Sequence, residues 1–396
     1  MINVLDAALI NGIQVGTVIS LTALGKIVTA VFSTAHNLMQ YQVIKITGAN
    51  QAEYNVEARI LTVPNATTIT FELADAPSVA TATGTINCSL PPLNWEKPFS
   101  STNENGGGKA AYRSKNTLLS SQPFLRVVDE LDPVYTATYA KYAKVGIVED
   151  MTDIDTMLGV QAPYDSALPN KNWIGTTGGT AATTYNGWAK WYYARFNSAI
   201  NTTADSSAPT AGNRDWLIVG TDSWFYILPS TVSSNTDRLC YGFGAFQSSL
   251  NVDSAATFLS CTYVYNNLNA TLYPSETIAT TKGAQSTLLL QRKYDLSAIC
   301  NTAQVGTLSF GSFATTNTGT QNIVVGYQGI IPFAPVVIFE TGSILRGMLP
   351  GLNWLFQLKP FTDLQKLSKD GYAYIAINTV SNTTSGQIII NLVGYE

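Results

Sequence analysis

Three stretches of the chain carry side chains of the kinds that do chemistry. STAHNL holds His36, the one histidine among 396 residues. VEDMTDIDT gathers Glu149, Asp150, Asp153 and Asp155, and WAKWYYARF places Trp188, Trp191 and Tyr192 close together. A zinc centre needs three or four converging His, Cys or carboxylate ligands, and His36 has no second histidine to join it. A serine nucleophile would be announced by Gly-x-Ser-x-Gly, which is absent. The acidic run has the oxygen ligands that Ca²⁺ prefers but lacks the twelve-residue loop with its central Gly and terminal Glu. Paired carboxylates could also hydrolyse a glycosidic bond, although Asp and Glu at these spacings are common in solvated turns. Flat rings such as Trp188, Trp191 and Tyr192 stack on sugars, and the same residue types fill cores and subunit interfaces. The residues themselves therefore favour structural roles: a turn corner at His36, an acidic turn at a domain junction, and core or interface aromatics.

Other motifs are weaker. GTTGG and NGGGK lack the trailing Lys-Ser/Thr of a phosphate loop. Asn65, Asn201, Asn269 and Asn382 open Asn-x-Thr triplets, which read as polar loops. The four cysteines, Cys88, Cys240, Cys261 and Cys300, lie far apart without Cys-x-x-Cys spacing. They are expected to be free core thiols in a protein made in a reducing cytoplasm. No metal and no cofactor is expected.

The elements that must position these residues are mostly strands. VISLTALGKIVTAVF, YQVIKITG, ARILTV, TTITFEL and TATGTINCSL are short β-runs divided by turn residues, the pattern of a small barrel or sandwich. Pro91-Pro92 marks a domain entry. Beyond it, NENGGGKAAYR reads as a flexible loop, as do 174–187 and 201–213. DWLIVGTDSWFYILP, TFLSCTYVY, TLLLQRKYDL, QNIVVGYQGIIPFAPVVIFE, GYAYIAINTV and QIIINLVGYE read as strands, the last as an edge open to a neighbour. After FLRVVDE, the stretch DPVYTATYAKYAKVGIVED reads either as a short helix opened at Asp132-Pro133 or, from its aromatic and β-branched content, as a strand. WAKWYYARF fits strand better than helix because of its aromatic content. One helix is predicted, TDLQKLSKDG, with Thr362 as N-cap and Gly371 as terminator. The expected class is mainly β: a small N-terminal β-barrel or sandwich module, then a larger β-sandwich-like body with few short helices. The expected division is an arm over 1–16, the module over 17–90, and a body over 91–396 that one or two subdomains could build.

Composition limits the partners. Charged residues are 12% of the chain, against about 25% in ordinary domains. A net charge of −4 provides no basic field for nucleic acid. No apolar run reaches the roughly 18 residues of a membrane helix, so no membrane insertion is expected. The first residues lack the basic start of a signal peptide. A surface of Ser, Thr, Asn and aromatics is cheap to bury against a protein partner.

Two resemblances add to this. Residues 31–86, with STAHNLMQYQVIKITGANQAEYNVEA, NATTITFEL and ATGTI, resemble the small β-module known as ubiquitin-activating enzyme FCCH-like, which recurs in tailed-phage virion proteins. His36, Tyr54 and Asn55 are its signature here. Asn37 stands where that family has Gly, and Val56 where Gly often follows. The segments LNWEKPFSSTNENGGGKAAYRS, FLRVVDE, VEDMTDIDT, RDWLIVGTDSWFYILP, YGFGAF and ILRGMLPGLNW resemble, in shared order, a tailed-phage virion-protein family. The resemblance implies a non-enzymatic virion protein of tail, baseplate or neck. Such a protein assembles in the host cytoplasm, forms homo-oligomers and binds other virion proteins. The alternative it leaves open is a receptor-binding fibre, spike or capsid decoration protein that recognises host surface glycan through Trp188, Trp191 and Tyr192.

Overall fold

The computed structural model describes residues 1–131, 137–164, 166, 172–173, 189–196, 207–233, 235–263, 288–297, 301–305, 333–340, 344–355, 359–369, 371–381 and 384–393. The described residues are mainly β, as expected. They divide into two compact units: Asn3–Asn94 forms one, and Trp95–Glu396 together with Met1–Ile2 forms the other.

The chain opens with a helical turn, α1 (Ile2–Leu5), which widens into a π-wound segment over Asp6–Asn11 and buries Leu5 and Leu9. Gly12 ends it at φ +72°, where a Cβ would lie 2.7 Å from the Leu90 carbonyl oxygen. Only glycine fits such a place. Six strands follow: β1 (Ile13–Leu24), β2 (Ile27–Phe32), β3 (Val43–Ala49), β4 (Glu57–Asn65), β5 (Thr68–Glu72) and β6 (Gly84–Leu90). They close into an antiparallel barrel in the order β1-β2-β5-β4-β3-β6, with β6 returning to β1. β1 begins at Ile13, within the stretch expected to be an arm, and its register shift between Val18 and Ser20 lets one long strand serve both neighbours. Alternate residues point inward, among them Val28, Ala30, Phe32, Ile44, Ile46, Ile69, Phe71, Ile86 and Cys88. Closure removes every sheet edge from this unit.

The second unit carries β7 (Trp95–Thr102), β8 (Gly107–Ser114), β9 (Phe124–Glu130), β10 (Lys141–Met151), β11 (Met157–Ala162) and β12 (Ala189–Ala194). It continues with β13 (Trp216–Gly220), β14 (Trp224–Pro229), β15 (Tyr241–Ala245), β16 (Gln247–Ser248), β17 (Thr257–Ser260), β18 (Thr262–Tyr263) and β19 (Leu288–Leu290). The remainder is β20 (Asn301–Val305), β21 (Phe333–Glu340), β22 (Ile344–Leu355), β23 (Lys366–Lys369), β24 (Tyr372–Ser381) and β25 (Thr384–Val393). One sheet runs β18-β12-β10-β9-β8-β7, with β11 also on β10; the larger runs β13-β14-β15-β17-β19-β20-β21-β22-β25-β24-β23, with β16 on β22. All the strand pairs of both sheets are antiparallel. The chain passes between the sheets at Cys261, separating β17 from β18. Trp95 bridges them from the other end: its indole N–H donates to the Thr221 carbonyl at 2.9 Å and its ring meets Phe225 edge-on.

Three expectations are corrected. NENGGGKAAYR is a loop only as far as Gly106; Gly107–Ser114 is β8. Its glycines are there for close backbone approach, since a Cβ on Gly107 would sit 1.9 Å from the Asp129 carbonyl oxygen and one on Gly108 2.3 Å from that of Ser101. TDLQKLSKDG is not a helix. Thr362 does offer both its N–H and its hydroxyl to Gln365 Oε1 at 3.1 Å, the reciprocal bond of a capping box. Leu364 then turns to φ +59°, and Lys366–Lys369 pairs with β24. Gly371 at φ +83° serves the following hairpin. QIIINLVGYE is not an edge: β25 lies between β22 and β24, and Ile388, Ile389 and Ile390 are fully buried.

Candidate functional site

In the barrel, the signature residues build corners. His36 is 7% exposed. Its Nδ1 accepts the Leu38 N–H at 2.9 Å, and its Nε2–H donates to the Asn65 carbonyl at 3.2 Å. Those two bonds together fix the neutral tautomer. The ring lies 5.0 Å from Phe32, and Asn37 holds φ +53°. Asn55 spans Ala49 with both ends of its amide, accepting the Ala49 N–H at 3.0 Å and donating to the Ala49 carbonyl at 2.8 Å. It thereby acts as a substitute strand residue. The buried Tyr54 hydroxyl donates to the Val79 carbonyl at 2.8 Å, and desolvation keeps its pKa above the ordinary value.

The acidic run does not converge. Glu149 faces Arg292, whose Nε and Nη2 each lie 2.7 Å away; Gln291 and the Val160 N–H add to it. The Arg292 hydrogen bond leads in holding the Glu149 carboxyl below its usual value, against burial. Asp155 takes Lys109 at 2.7 Å and the buried Arg126 at 2.7 Å. Burial pushes the Asp155 carboxyl up, but these cations together bring it below normal. Asp153 closes the turn by accepting the backbone N–H groups of Asp155 and Thr156, and Asp150 accepts that of Met151. Among the described residues no cluster of three or more His, Cys, Asp or Glu could hold a metal ion.

The aromatic strand faces inward. Trp191 and Tyr192 are 0% and 1% exposed, which closes their rings to a sugar and corrects the glycan-contact reading for both. Trp191 stacks on Tyr241 at 5.9 Å and donates to the Ser260 carbonyl at 2.7 Å. The buried Lys190 Nζ lies 4.3 Å above the Tyr142 ring, a cation held over a π face out of water. Trp188 lies outside the described residues, as does Cys300. Cys88, Cys240 and Cys261 are buried and free of disulfides, and burial pushes the Cys88 thiol up to about 12.

Sequence reasoning missed a buried charge cluster. Arg346, fully buried, grips Asp253 through Nε at 3.0 Å and Nη2 at 2.8 and 2.9 Å, and also meets the Glu340 carboxylate. The Leu-Arg-Gly run of β22 was its only signal. Gly347 follows because a Cβ there would lie 2.1 Å from the Gln247 carbonyl oxygen. A cavity of about 360 Å³, lined in part by Asp129, Glu130, Lys141, Tyr142 and Tyr193, opens at the ends of β9 and β10. Asp129 is already engaged there by the Met1 amino group at 2.6 Å and the Tyr193 hydroxyl at 2.9 Å.

No protein family and no curated protein matches the chain. Among solved structures it is similar to "Phage phi92 endosialidase", with a TM-score of 0.18 and 8% identity over 97% of this chain. The chain spans about half the length of that protein's chain, 52% of which is covered. A likeness this loose carries no argument about fold or activity. Among the described residues no helix is long and apolar enough to cross a membrane.

Proposed function

We propose that this chain is a non-enzymatic structural component of a tailed-phage particle, placed in the tail, baseplate or neck, where it oligomerises and binds neighbouring virion proteins. The observation that carries the reading is how the ionisable side chains are used. Glu149, Asp153 and Asp155, the carboxylates best placed for chemistry, are bound to cations or backbone inside the second unit. Arg126 and Asp155 tie together two of the segments whose shared order resembles the virion family, FLRVVDE and VEDMTDIDT, while Arg113 and Glu96 pair within a third and Arg346 anchors a fourth to Asp253. Such a chain offers its partners a sparsely charged β surface rather than a reactive cleft.

Immunogold electron microscopy of intact particles, with antibody to the recombinant protein, tests this. Label at the tail, baseplate or neck is expected. Label only at fibre tips would replace assembly with receptor binding, and label over the capsid would replace it with decoration. Particles free of the protein by both labelling and mass spectrometry would end the virion reading.

A further inference from the structure

We infer that β13 pairs with β13 of a second copy, antiparallel and centred on Ile218. The inference rests on the oligomerising part of the proposed function and supplies its interface.

β13 ends the larger sheet, and among the described residues no strand pairs with its outer side. Its sequence, Trp-Leu-Ile-Val-Gly, carries none of the devices that blunt an edge, namely Lys, Pro or an inward charge. The opposite edge, β23, begins and ends with Lys, and the edge strand β7 carries Pro98. β13 alone among these ends its sheet as an unguarded apolar strand, and Trp216 is 39% exposed on it.

The hydrogen-bond phase says which groups face outward. On the β14 side, Ser230 N–H donates to the Asp215 carbonyl and Thr221 N–H to the Trp224 carbonyl, both at 2.8 Å. Given the pairing Leu217↔Leu228 and Val219↔Tyr226, the odd-numbered residues 215 to 221 direct their backbone groups to β14. In an antiparallel ladder the alternate residues then direct theirs away. Trp216, Ile218 and Gly220 therefore present along the outer edge N–H and C=O groups that pair with no strand among the described residues.

A two-fold axis at Ile218 fits this phase. It sets Ile218 opposite Ile218 of the copy and Trp216 opposite its Gly220, so the outward groups fall in hydrogen-bonded pairs. Leu217 meets Val219 of the copy on the face that packs toward the core, where both are partly buried. Two residues beyond each end of the strand, Arg214 comes opposite Asp222. These are opposite charges, and among the described residues neither has an ion-pair partner. Arg214 donates to the carbonyls of Thr231, Gly212 and Thr210, and Asp222 accepts from Ser223 and Asn116. The strand is thus self-complementary in hydrogen bonds and charge, which an isologous interface requires.

The test is sedimentation velocity on the full chain at tens of micromolar, joined to amide hydrogen exchange. The wild type is expected to sediment at twice 42.6 kDa or a multiple of that, with the Trp216, Ile218 and Gly220 amides protected. Ile218→Lys, which sets two ammonium groups face to face, is expected to abolish the dimer while leaving the thermal midpoint within a few degrees. Ile218→Pro removes an outward N–H that β14 does not use and serves as the second variant. A monomeric wild type with those amides exchanging freely would overturn the inference, as would an oligomer unmoved by both substitutions. A monomer that is nevertheless present in purified particles would sink this interface alone; absence from particles would sink the wider reading.

Discussion

At Arg346, one guanidinium faces two carboxylates with all three side chains at most 3% exposed. Removing the cation leaves Asp253 and Glu340 buried together without a countercharge, held among the described residues only by the Ser248 hydroxyl and the Ala255 and Tyr294 N–H groups. Arg346→Ala is expected to cost about 3–5 kcal/mol, seen as a lower urea midpoint for the second unit; a loss below about 1 kcal/mol would show that water reaches the site. Glu149 permits a pH test. Its folded pKa is depressed below its unfolded value, chiefly by the Arg292 hydrogen bond. The stabilisation is then whole above the ordinary carboxylate range and is lost as pH falls through the lowered folded value. The urea midpoint gap between wild type and Glu149→Gln should be open at about pH 7 and close toward about pH 3. A gap constant across that range would mean that the carboxylate charge contributes nothing. His36 shows how much of a residue's role is legible from its neighbours: Thr-Ala-His-Asn-Leu already indicated a corner. Its bond to the Leu38 N–H is of that local kind, whereas its bond to Asn65 could not be foreseen, because Asn65 is distant in sequence and adjacent only once the barrel closes.

Among the elements, alternation of apolar and polar residues made the barrel strands readable, because a strand with one buried face must alternate. It failed wherever tertiary pairing decided the outcome. Thr362 and Gln365 form the reciprocal half of a capping box, yet the edge of β24 captures Lys366–Lys369. The glycines at 107 and 108 signalled a loop, when they instead permit backbone contact within a sheet. The run QIIINL, apolar on successive residues, is the pattern of a strand buried on both faces, so it belongs at the centre of a sheet. Deleting residues 386–396 is accordingly expected to collapse the larger sheet, with loss of near-ultraviolet circular dichroism. A truncated chain that keeps a native aromatic spectrum would contradict the central placement of β25.

For the molecule as a whole, the two units differ in how far apart in sequence their contacts lie. The barrel closes through residues 13 to 90, whereas the second unit depends on pairs such as Trp95 with Thr221 and Glu149 with Arg292. Long loops must be closed before such contacts form, and rates fall steeply as contacts become less local. Refolding from urea should therefore be at least biphasic, with a fast step sensitive to Ile46→Ala in the barrel and a slow step sensitive to Trp95→Phe. A single phase responding to both would show that the units fold as one. The Cys261 crossover gives this a further consequence. Because one uninterrupted run of backbone leaves β17 and enters β18, neither sheet can settle its final register while the other is still searching. The two sheets of the second unit are thus kinetically yoked, and a newly made chain spends its most aggregation-prone interval with both of them open.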